Sequence, residues 1–296
     1  MAGLLLYAVL GAVAVVGAAE AGWLTRGTRP QVADGANVPV EVRRTTSAWR
    51  WSGVVVGATV AVVAANWGPL GSGLLLAAPL FGLFVLLGVL VGEFSVSAPA
   101  DSPRRAALTV RRARDYLPRR LTPTVILATG ALTVLLATTT AMGSADDMGR
   151  AGRSLTRQCS PTSSEGHGPW TGSFYSIPLA VVVLLGLVAA VLALRRLVRR
   201  PRPGNPLTLT PADDLLRRRS AHVVTGACGV LIAIPLIEVT GVTAYGLLSF
   251  SCRPNSWTLV AWFLIAATPV WVALLAWSGL AVLAPSRLAT TVETAR

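Results

Sequence analysis

The chain has 296 residues, of which 53% are hydrophobic and 13% charged, whereas a soluble domain has about 25% charged residues. All 26 basic residues are arginine, so the chain has no lysine to form a Schiff base with retinal or to hold a phosphate in a P-loop. Its two histidines, His167 and His222, are too few for a multi-haem carrier or a three-histidine zinc site. The composition predicts an integral membrane protein.

Seven apolar stretches are each long enough to cross a hydrocarbon core, which takes about 20 helical residues. Their interiors consist of Leu, Val, Ala and Gly, without the polar stripe at a 3.6-residue period that marks a surface helix. We therefore predict an all-α polytopic membrane bundle of seven transmembrane helices. The predicted spans are 3–23, 49–67, 73–94, 122–142, 174–194, 221–247 and 257–283.

The arginines predict the orientation, because cytoplasmic loops are enriched in Lys and Arg. With the N-terminus outside, the cytoplasmic segments 24–50, 95–121, 195–220 and 284–296 carry 5, 7, 8 and 2 arginines, or 22 of the 26. The C-terminus is then cytoplasmic, and we expect a multi-pass protein of the cell membrane. The first span could be read as a signal peptide, since residues 19–21 resemble a cleavage site. No basic residue precedes it and the first arginine, Arg26, follows it, which favours an anchor.

The cytoplasmic segment 102–120 has the pattern of an interfacial helix. Ala106, Val110, Ala113 and Leu117 recur on one helical face, while arginines fill much of the remainder. Such a helix lies on an anionic inner leaflet, with its arginines at the lipid headgroups. The arginines concerned are Arg104, Arg105, Arg111, Arg112 and Arg114. Nucleic acid is not expected as a partner, because no aromatic residues alternate with them as stacking platforms.

Two helix starts are predicted from capping residues. Thr210, followed by Pro211 and Asp213, predicts that the sixth helix begins near Pro211 and runs unbroken into the bilayer. Ser144 with Asp147 repeats the capping pattern, which predicts a short helix over 145–155 in the extracytoplasmic loop 143–173. The remainder of that loop, 159–173, is rich in Ser, Gly and Pro and is expected to be irregular.

Small residues and tryptophans predict how the spans pack. The pairs Gly53/Gly57 and Gly88/Gly92 allow close approach of the second and third spans, which share a short loop. Spans two to seven could also form a threefold repeat of hairpins, and the sequence leaves this open. Seven tryptophans fall near span ends and are expected as interface anchors, namely Trp23, Trp49, Trp51, Trp67, Trp170, Trp257 and Trp277.

No catalytic signature is present: neither a zinc-protease HExxH nor a serine-hydrolase GxSxG motif occurs. Asp146, Asp147, Glu165 and His167 could hold a cation, but capping and solvation explain them without one. We therefore expect no enzyme activity, no cofactor and no metal site.

The acidic residues of the spans give the candidate ligand site. Glu20 and Glu93 fall near cytoplasmic ends, where arginines can pair with them. Glu238 lies deeper, in the outer third of the bilayer and three residues after Pro235, and an intramembrane carboxylate is a functional candidate by default. Asn66 and Thr139 have comparable depth. Glu238, Asn66 and Thr139 form a candidate site for a proton, a cation or a small polar ligand; a hydrogen-bonded structural glutamate is the alternative.

The three cysteines are separated by the predicted topology. Cys159 and Cys252 fall in outer loops and Cys228 lies within the sixth span. Two cysteines on the oxidising face favour a disulfide between Cys159 and Cys252, with Cys228 left as a buried thiol.

Four short stretches resemble a known group of proteins. They are RRARDYLPR at 111–119, DMGRAGR at 147–153, GSFYS at 172–176 and RLVRRP at 196–201. Together they are similar to a group of uncharacterised actinobacterial multi-pass integral membrane proteins, over most of residues 90–285. The resemblance implies a membrane location and topology and assigns no residue roles.

Two functions from different classes fit this sequence. The first is a non-enzymatic sensor or accessory component that acts through partner membrane proteins within the lipid bilayer. The second is a small secondary transporter or permease that uses the region of Glu238. Transporters usually place several ionisable groups near the midplane, and here the spans offer one at depth, which favours the first function.

Overall fold

A computed structural model describes residues 40–67, 71–95, 116–199 and 210–283. These residues form six α-helices and one two-stranded sheet. In chain order the elements are α1 (Val40–Asn66), α2 (Ser72–Ser95), α3 (Leu121–Met142), β1 (Leu155–Ser160), β2 (Ser163–His167), α4 (Ser173–Arg199), α5 (Thr210–Leu248) and α6 (Asn255–Leu283).

The helical membrane bundle is confirmed, since all six helices are long and apolar enough to cross a membrane. They coincide with the predicted second to seventh spans, and α5 begins at Thr210 and runs unbroken to Leu248, as its capping residues predict. The predicted first span, 3–23, lies outside the described residues. So do residues 102–115 of the predicted interfacial helix 102–120, including the five arginines expected at the lipid headgroups.

The centre of the bundle is α5. An 18-residue apolar stretch of this helix is wholly buried, and the helix packs against α2, α3, α4 and α6. The peripheral helices α1 and α6 pack mainly on α2 and α5, and their other faces expose large apolar side chains such as Val55 and Phe263. α3 and α4 each pack more extensively on α5 than on each other, so among the described elements the packed hairpins are α1–α2 and α5–α6. The apolar outer surface is what a lipid environment requires.

The predicted close approach of α1 and α2 is confirmed. A Cβ atom added to Gly88 would lie 2.6 Å from the Cα of Gly53 and 2.7 Å from the carbonyl oxygen of Trp49. Real Cβ atoms do not approach backbone so closely, so the two helices can cross here only because both residues lack a side chain.

Side-chain contacts identify the two ends of the bundle. At one end, Ser220 Oγ donates to Glu93 Oε2 (2.6 Å) and Arg217 donates to the carbonyl oxygen of Leu197 (2.6 Å), which joins the start of α5 to the ends of α2 and α4. We call this the arginine-rich end. At the other end, the hydroxyls of Thr140 and Ser176 lie 2.6 Å apart and join α3 to α4.

Residues 143–172 and the α5–α6 loop 249–254 together cover this second end. We call these two segments the disulfide module, because Cys159 and Cys252 are joined by a disulfide, with their Cα atoms 5.7 Å apart. The predicted pairing is thus present, and Cys228 is a buried free thiol, as expected.

The expectation of a helix over 145–155 is wrong, and that of an irregular loop over 159–173 is wrong for residues 159–167, whereas 168–172 are irregular. Residues 145–154 form turns rather than a helix, because the Asp146 carboxylate accepts the backbone N–H groups of Met148 and Arg150 and closes a tight turn. Residues 155–167 are not irregular but form the antiparallel hairpin β1–β2. A lone hairpin is marginal in water, so its order depends on the contacts with the bundle described below.

Candidate functional site

The module is fixed to the bundle through residues 170 and 171. Trp170 is 1% exposed, and its indole N–H donates to the carbonyl oxygen of Thr139 at 2.8 Å. Next to it, the hydroxyls of Thr171 and Thr243 lie 3.1 Å apart. The six-membered ring of Trp170 lies against Gly246, where a Cβ atom would come within 2.9 Å of it. One short segment therefore ties the last turn of α3 to the last turns of α5.

A separate apolar cluster lies beneath the module. It contains Leu155, Trp170, Ala244, Leu247, Phe250 and Ala261. The Phe250 ring makes edge-to-face contacts with His167, at 4.7 Å between ring centroids, and with Trp257, at 5.3 Å. Arg157 of β1 lies over the Trp257 ring at 5.0 Å. The hairpin thus packs on the start of α6 through aromatic contacts, which stabilise beyond their buried area.

Glu165 holds the hairpin to the α5–α6 loop. One carboxylate oxygen lies 2.9 Å from His167 Nε2, and the other accepts the backbone N–H (3.0 Å) and the hydroxyl (2.8 Å) of Ser251. These hydrogen bonds, that of His167 first, lower the pKa of Glu165 from 4.5 to about 2. Together with the disulfide they make a second connection between the two segments of the module.

A second carboxylate organises the loop between α3 and β1. Asp146 accepts hydrogen bonds from Arg150 Nε (2.8 Å) and Arg153 Nη1 (2.7 Å), besides two backbone N–H groups. Burial opposes its ionised form, but the Arg153 and Arg150 hydrogen bonds outweigh this and hold the pKa of Asp146 well below its usual range. Asp146 is therefore a structural anion here rather than part of a cation site.

Glu238 is the deepest carboxylate in the described residues. It is 7% exposed, and its Oε2 is buried with no hydrogen-bond partner in the part of the chain that the structure describes. It precedes the end of α5 by ten residues, or about 15 Å of helix, and lies one to two turns below Thr243 and Gly246, where the module attaches. The module therefore covers the end of the bundle that is nearer to Glu238.

The other two predicted ligand-site residues differ from Glu238 in their surroundings. Thr139 is buried on α3, which packs against α5, but its hydroxyl donates to carbonyl oxygens of its own helix. Asn66 is exposed at the end of α1, and its amide donates to the carbonyl oxygen of Val62. Thr139 is thus part of the contact with the module, since its carbonyl oxygen accepts the Trp170 indole N–H. Asn66 lies on a peripheral helix, and its side-chain amide donates to that helix's own backbone.

Four contributors to this site have no clear signal in the sequence. Trp170 has the signature of an interface anchor, but that expectation is wrong, since it is buried against α3 and α5. The sequence indicates Glu165 and His167 only as possible cation ligands, and Ser251 carries no motif. Their roles arise from contacts 86 residues apart in sequence, between Glu165 and Ser251.

The chain matches no protein-family model, and no curated protein or solved structure is significantly similar to it. Functional conclusions for this protein therefore depend on the geometry of its own residues.

Proposed function

We propose that this protein is a non-enzymatic sensor or accessory component of the cell membrane, with seven spans, an external N-terminus and a cytoplasmic C-terminus. In this orientation the disulfide module is extracytoplasmic. The distribution of described arginines supports it. Ten of those whose side chains are described lie at the arginine-rich end, namely Arg44, Arg50, Arg119, Arg120, Arg195, Arg196, Arg199, Arg217, Arg218 and Arg219.

The four arginines of the module end are engaged in local contacts. Arg150 and Arg153 bind Asp146, Arg157 lies over an aromatic ring, and Arg253 donates to the carbonyl oxygens that end α5. Their charges therefore have partners within the module itself. These four arginines are compatible with an extracytoplasmic module, because the larger number lies at the opposite end of the bundle.

The observation that carries a sensing role is the continuity of α5. This single 39-residue helix is tied to the disulfide module by Thr243 and by the loop that follows it. Its opposite end is tied to α2 by Ser220 and to α4 by Arg217. A change in the module can therefore reach the arginine-rich end through one continuous helix, which gives two distant sites a physical route of coupling.

Orientation and coupling need separate experiments. For orientation, a periplasmic-type reporter fused after Ser163 is expected to be active and one fused after Asn205 silent. The reverse result would overturn the orientation and the external position of the module.

For coupling, a spin label is attached to Arg218→Cys on α5 in a Cys228→Ser background. Its spectrum is compared between the protein with the disulfide and a variant in which Cys159→Ser and Cys252→Ser remove the disulfide. We expect label mobility to change at position 218. A label at Arg44→Cys on α1, which packs mainly on α2, is the matched control and is expected to stay unchanged. An unchanged spectrum at position 218 would refute coupling through α5.

The buried carboxylate of Glu238 favours a second candidate, proton-coupled transport. The sequences of α3 and α6 contain no charged side chain, and those of α2 and α4 contain only Glu93 and arginines at the arginine-rich end, besides Tyr175 at the module end. An unpaired carboxylate is very costly in a medium of low dielectric constant. Glu238 is therefore expected to be a neutral acid, so that the ligand it suits is a proton.

A hydrophobic carbodiimide tests this, because it adds to a protonated carboxyl group within a membrane and leaves a stable N-acylurea. We expect labelling that Glu238→Gln abolishes and Glu93→Gln preserves. If transport is the function, Glu238→Gln also abolishes it at unchanged membrane levels. Absence of labelling at Glu238 in intact membranes would refute the proposal that Glu238 binds a proton. Wild-type transport by Glu238→Gln would refute a role for this carboxylate in transport.

A further inference from the structure

The disulfide of the module lies beside the Glu165 carboxylate. Glu165 Oε2 is 3.7 Å from Cys159 Sγ and 3.8 Å from Cys252 Sγ. In a tetrahedral zinc site, with Zn–S near 2.3 Å and Zn–O near 2.1 Å, a sulfur and an oxygen ligand lie about 3.6 Å apart. Both sulfur atoms are thus already at the distance from this oxygen that two thiolate ligands and a carboxylate ligand would have around one ion.

We propose that reduction of the Cys159–Cys252 disulfide creates a binding site for one zinc-type divalent cation. Its ligands are the two cysteine thiolates and the carboxylate of Glu165. The sequence predicts no metal site, because nothing in it indicates that Glu165 lies beside the two cysteines. It does not depend on the sensor or transporter proposals, because it requires only this local geometry.

The movement that the site requires is small. The two sulfur atoms, about 2.05 Å apart in a disulfide, would separate to about 3.8 Å around a tetrahedral ion. Cys159 lies where the register of β1 and β2 shifts, between Gln158 and Ser160, and Cys252 lies in the turn after α5. Neither cysteine is held by a regular ladder of backbone hydrogen bonds at its own position, so both can adjust without breaking the hairpin.

The carboxylate is already oriented by hydrogen bonds. His167 Nε2 lies 2.9 Å from Glu165 Oε1, and the backbone N–H of Ser251 fixes Oε2 at 3.0 Å. Metal-bound side chains are commonly held in this way by a second layer of hydrogen bonds, which raises affinity. The ion would take the place of the Ser251 hydroxyl at Oε2, and a water would complete four ligands.

The redox step has a defined balance. A dithiol reductant transfers two electrons and two protons to the disulfide, breaks the S–S bond and becomes a disulfide itself. Binding of the cation then releases the two thiol protons to solvent, because the ligands are thiolates. Cys159 is exposed, while Cys252 and Glu165 are half-buried, so that a reductant and an ion can reach the group. The cation thereby stabilises the reduced module, which would otherwise lose its covalent link.

The test uses the purified full-length protein in detergent, reduced with a phosphine and then freed of it, with Co²⁺ as the probe for a zinc-type site. We expect one equivalent of Co²⁺ with a thiolate-to-cobalt charge-transfer band, displaced by Zn²⁺, and no band in the oxidised protein. Cys159→Ser is expected to abolish the band, and Cys228→Ser, which removes the buried thiol, to leave it unchanged.

Glu165→Gln distinguishes the proposed site from a simple pair of thiols. We expect it to weaken Co²⁺ binding roughly tenfold or more. A thiol count showing that the oxidised variant still forms its disulfide establishes that the two segments remain together. Three outcomes would overturn the proposal: no band in the reduced protein, unchanged affinity in Glu165→Gln with its disulfide intact, or loss of the band in Cys228→Ser.

Discussion

The contact between Trp170 and α3 allows a quantitative prediction. The carbonyl oxygen of Thr139 lies in the last turn of α3, and the N–H of Gly143 donates to Thr140 instead, so the Trp170 indole satisfies an oxygen that the end of a helix leaves unpaired. Trp170→Phe keeps most of the ring but removes the donor. Leaving such a buried acceptor unpaired costs about 1–3 kcal/mol. Trp170→Ala also opens a cavity, and we expect it to cost about 3–5 kcal/mol.

The buried free thiol supplies the assay. Cys228 is inaccessible in the folded bundle, so a fluorogenic maleimide reports its exposure during thermal unfolding in detergent. At about 2–4 °C per kcal/mol, Trp170→Phe is expected to lower the melting temperature by roughly 2–12 °C. Trp67→Phe is the matched control: Trp67 is 77% exposed, and its replacement is expected to leave the melting temperature unchanged. Equal melting of the two variants would refute the inference that Trp170 fixes the module to the bundle.

Three further predictions concern other contacts. Gly88→Leu is expected to separate α1 from α2 and to lower the yield of folded protein, whereas Gly130→Leu, where a Cβ meets no atom within 4 Å, is expected to be tolerated; size-exclusion profiles compare them. Because folding lowers the pKa of Glu165 to about 2, its hydrogen bonds stabilise the module fully above about pH 4.5 and are lost as the pH falls towards 2. Hydrogen exchange of the hairpin should show this loss in the wild type and not in Glu165→Gln. Mass spectrometry of unreduced protein from membranes should find the peptides of residues 159 and 252 joined, and free thiols at both positions would contradict the disulfide.

The hydropathy pattern was sufficient to locate the described spans. Their interiors are uniformly apolar, and the helix ends Ser72 and Met142 fall within a residue of the predicted limits, because crossing a hydrocarbon core imposes a length that can be read locally. Other helices extend beyond the predicted spans: α1 begins at Val40 rather than 49, and α4 ends at Arg199 rather than 194. The pairing of Cys159 with Cys252 followed in the same way, since predicted loops on one side left only one partner for each.

The extramembrane loop shows where this reasoning fails. Its Ser- and Thr-rich hairpin has no strong strand pattern, and it is ordered by contacts with residues about 90 positions later, such as Ser251 and Cys252. The helix predicted from Ser144 and Asp147 is wrong for a related reason. The neighbouring Asp146 pairs with Arg153, and the turn that it closes satisfies more hydrogen bonds than a helix cap would.

The sequence by itself determined that the chain is a helical membrane protein, where along the chain its described spans lie, and which cysteines pair, because these properties follow from local hydropathy and charge. Only the tertiary structure decided which helix is central, that Trp170 is buried, and that Glu165 lies beside the disulfide, whereas Oε2 of Glu238 meets no hydrogen-bond partner among the described residues. Apolar helices of similar composition offer no local signal for their neighbours. Their arrangement follows from close packing at particular residues such as Gly53 and Gly88, and from polar contacts between distant segments.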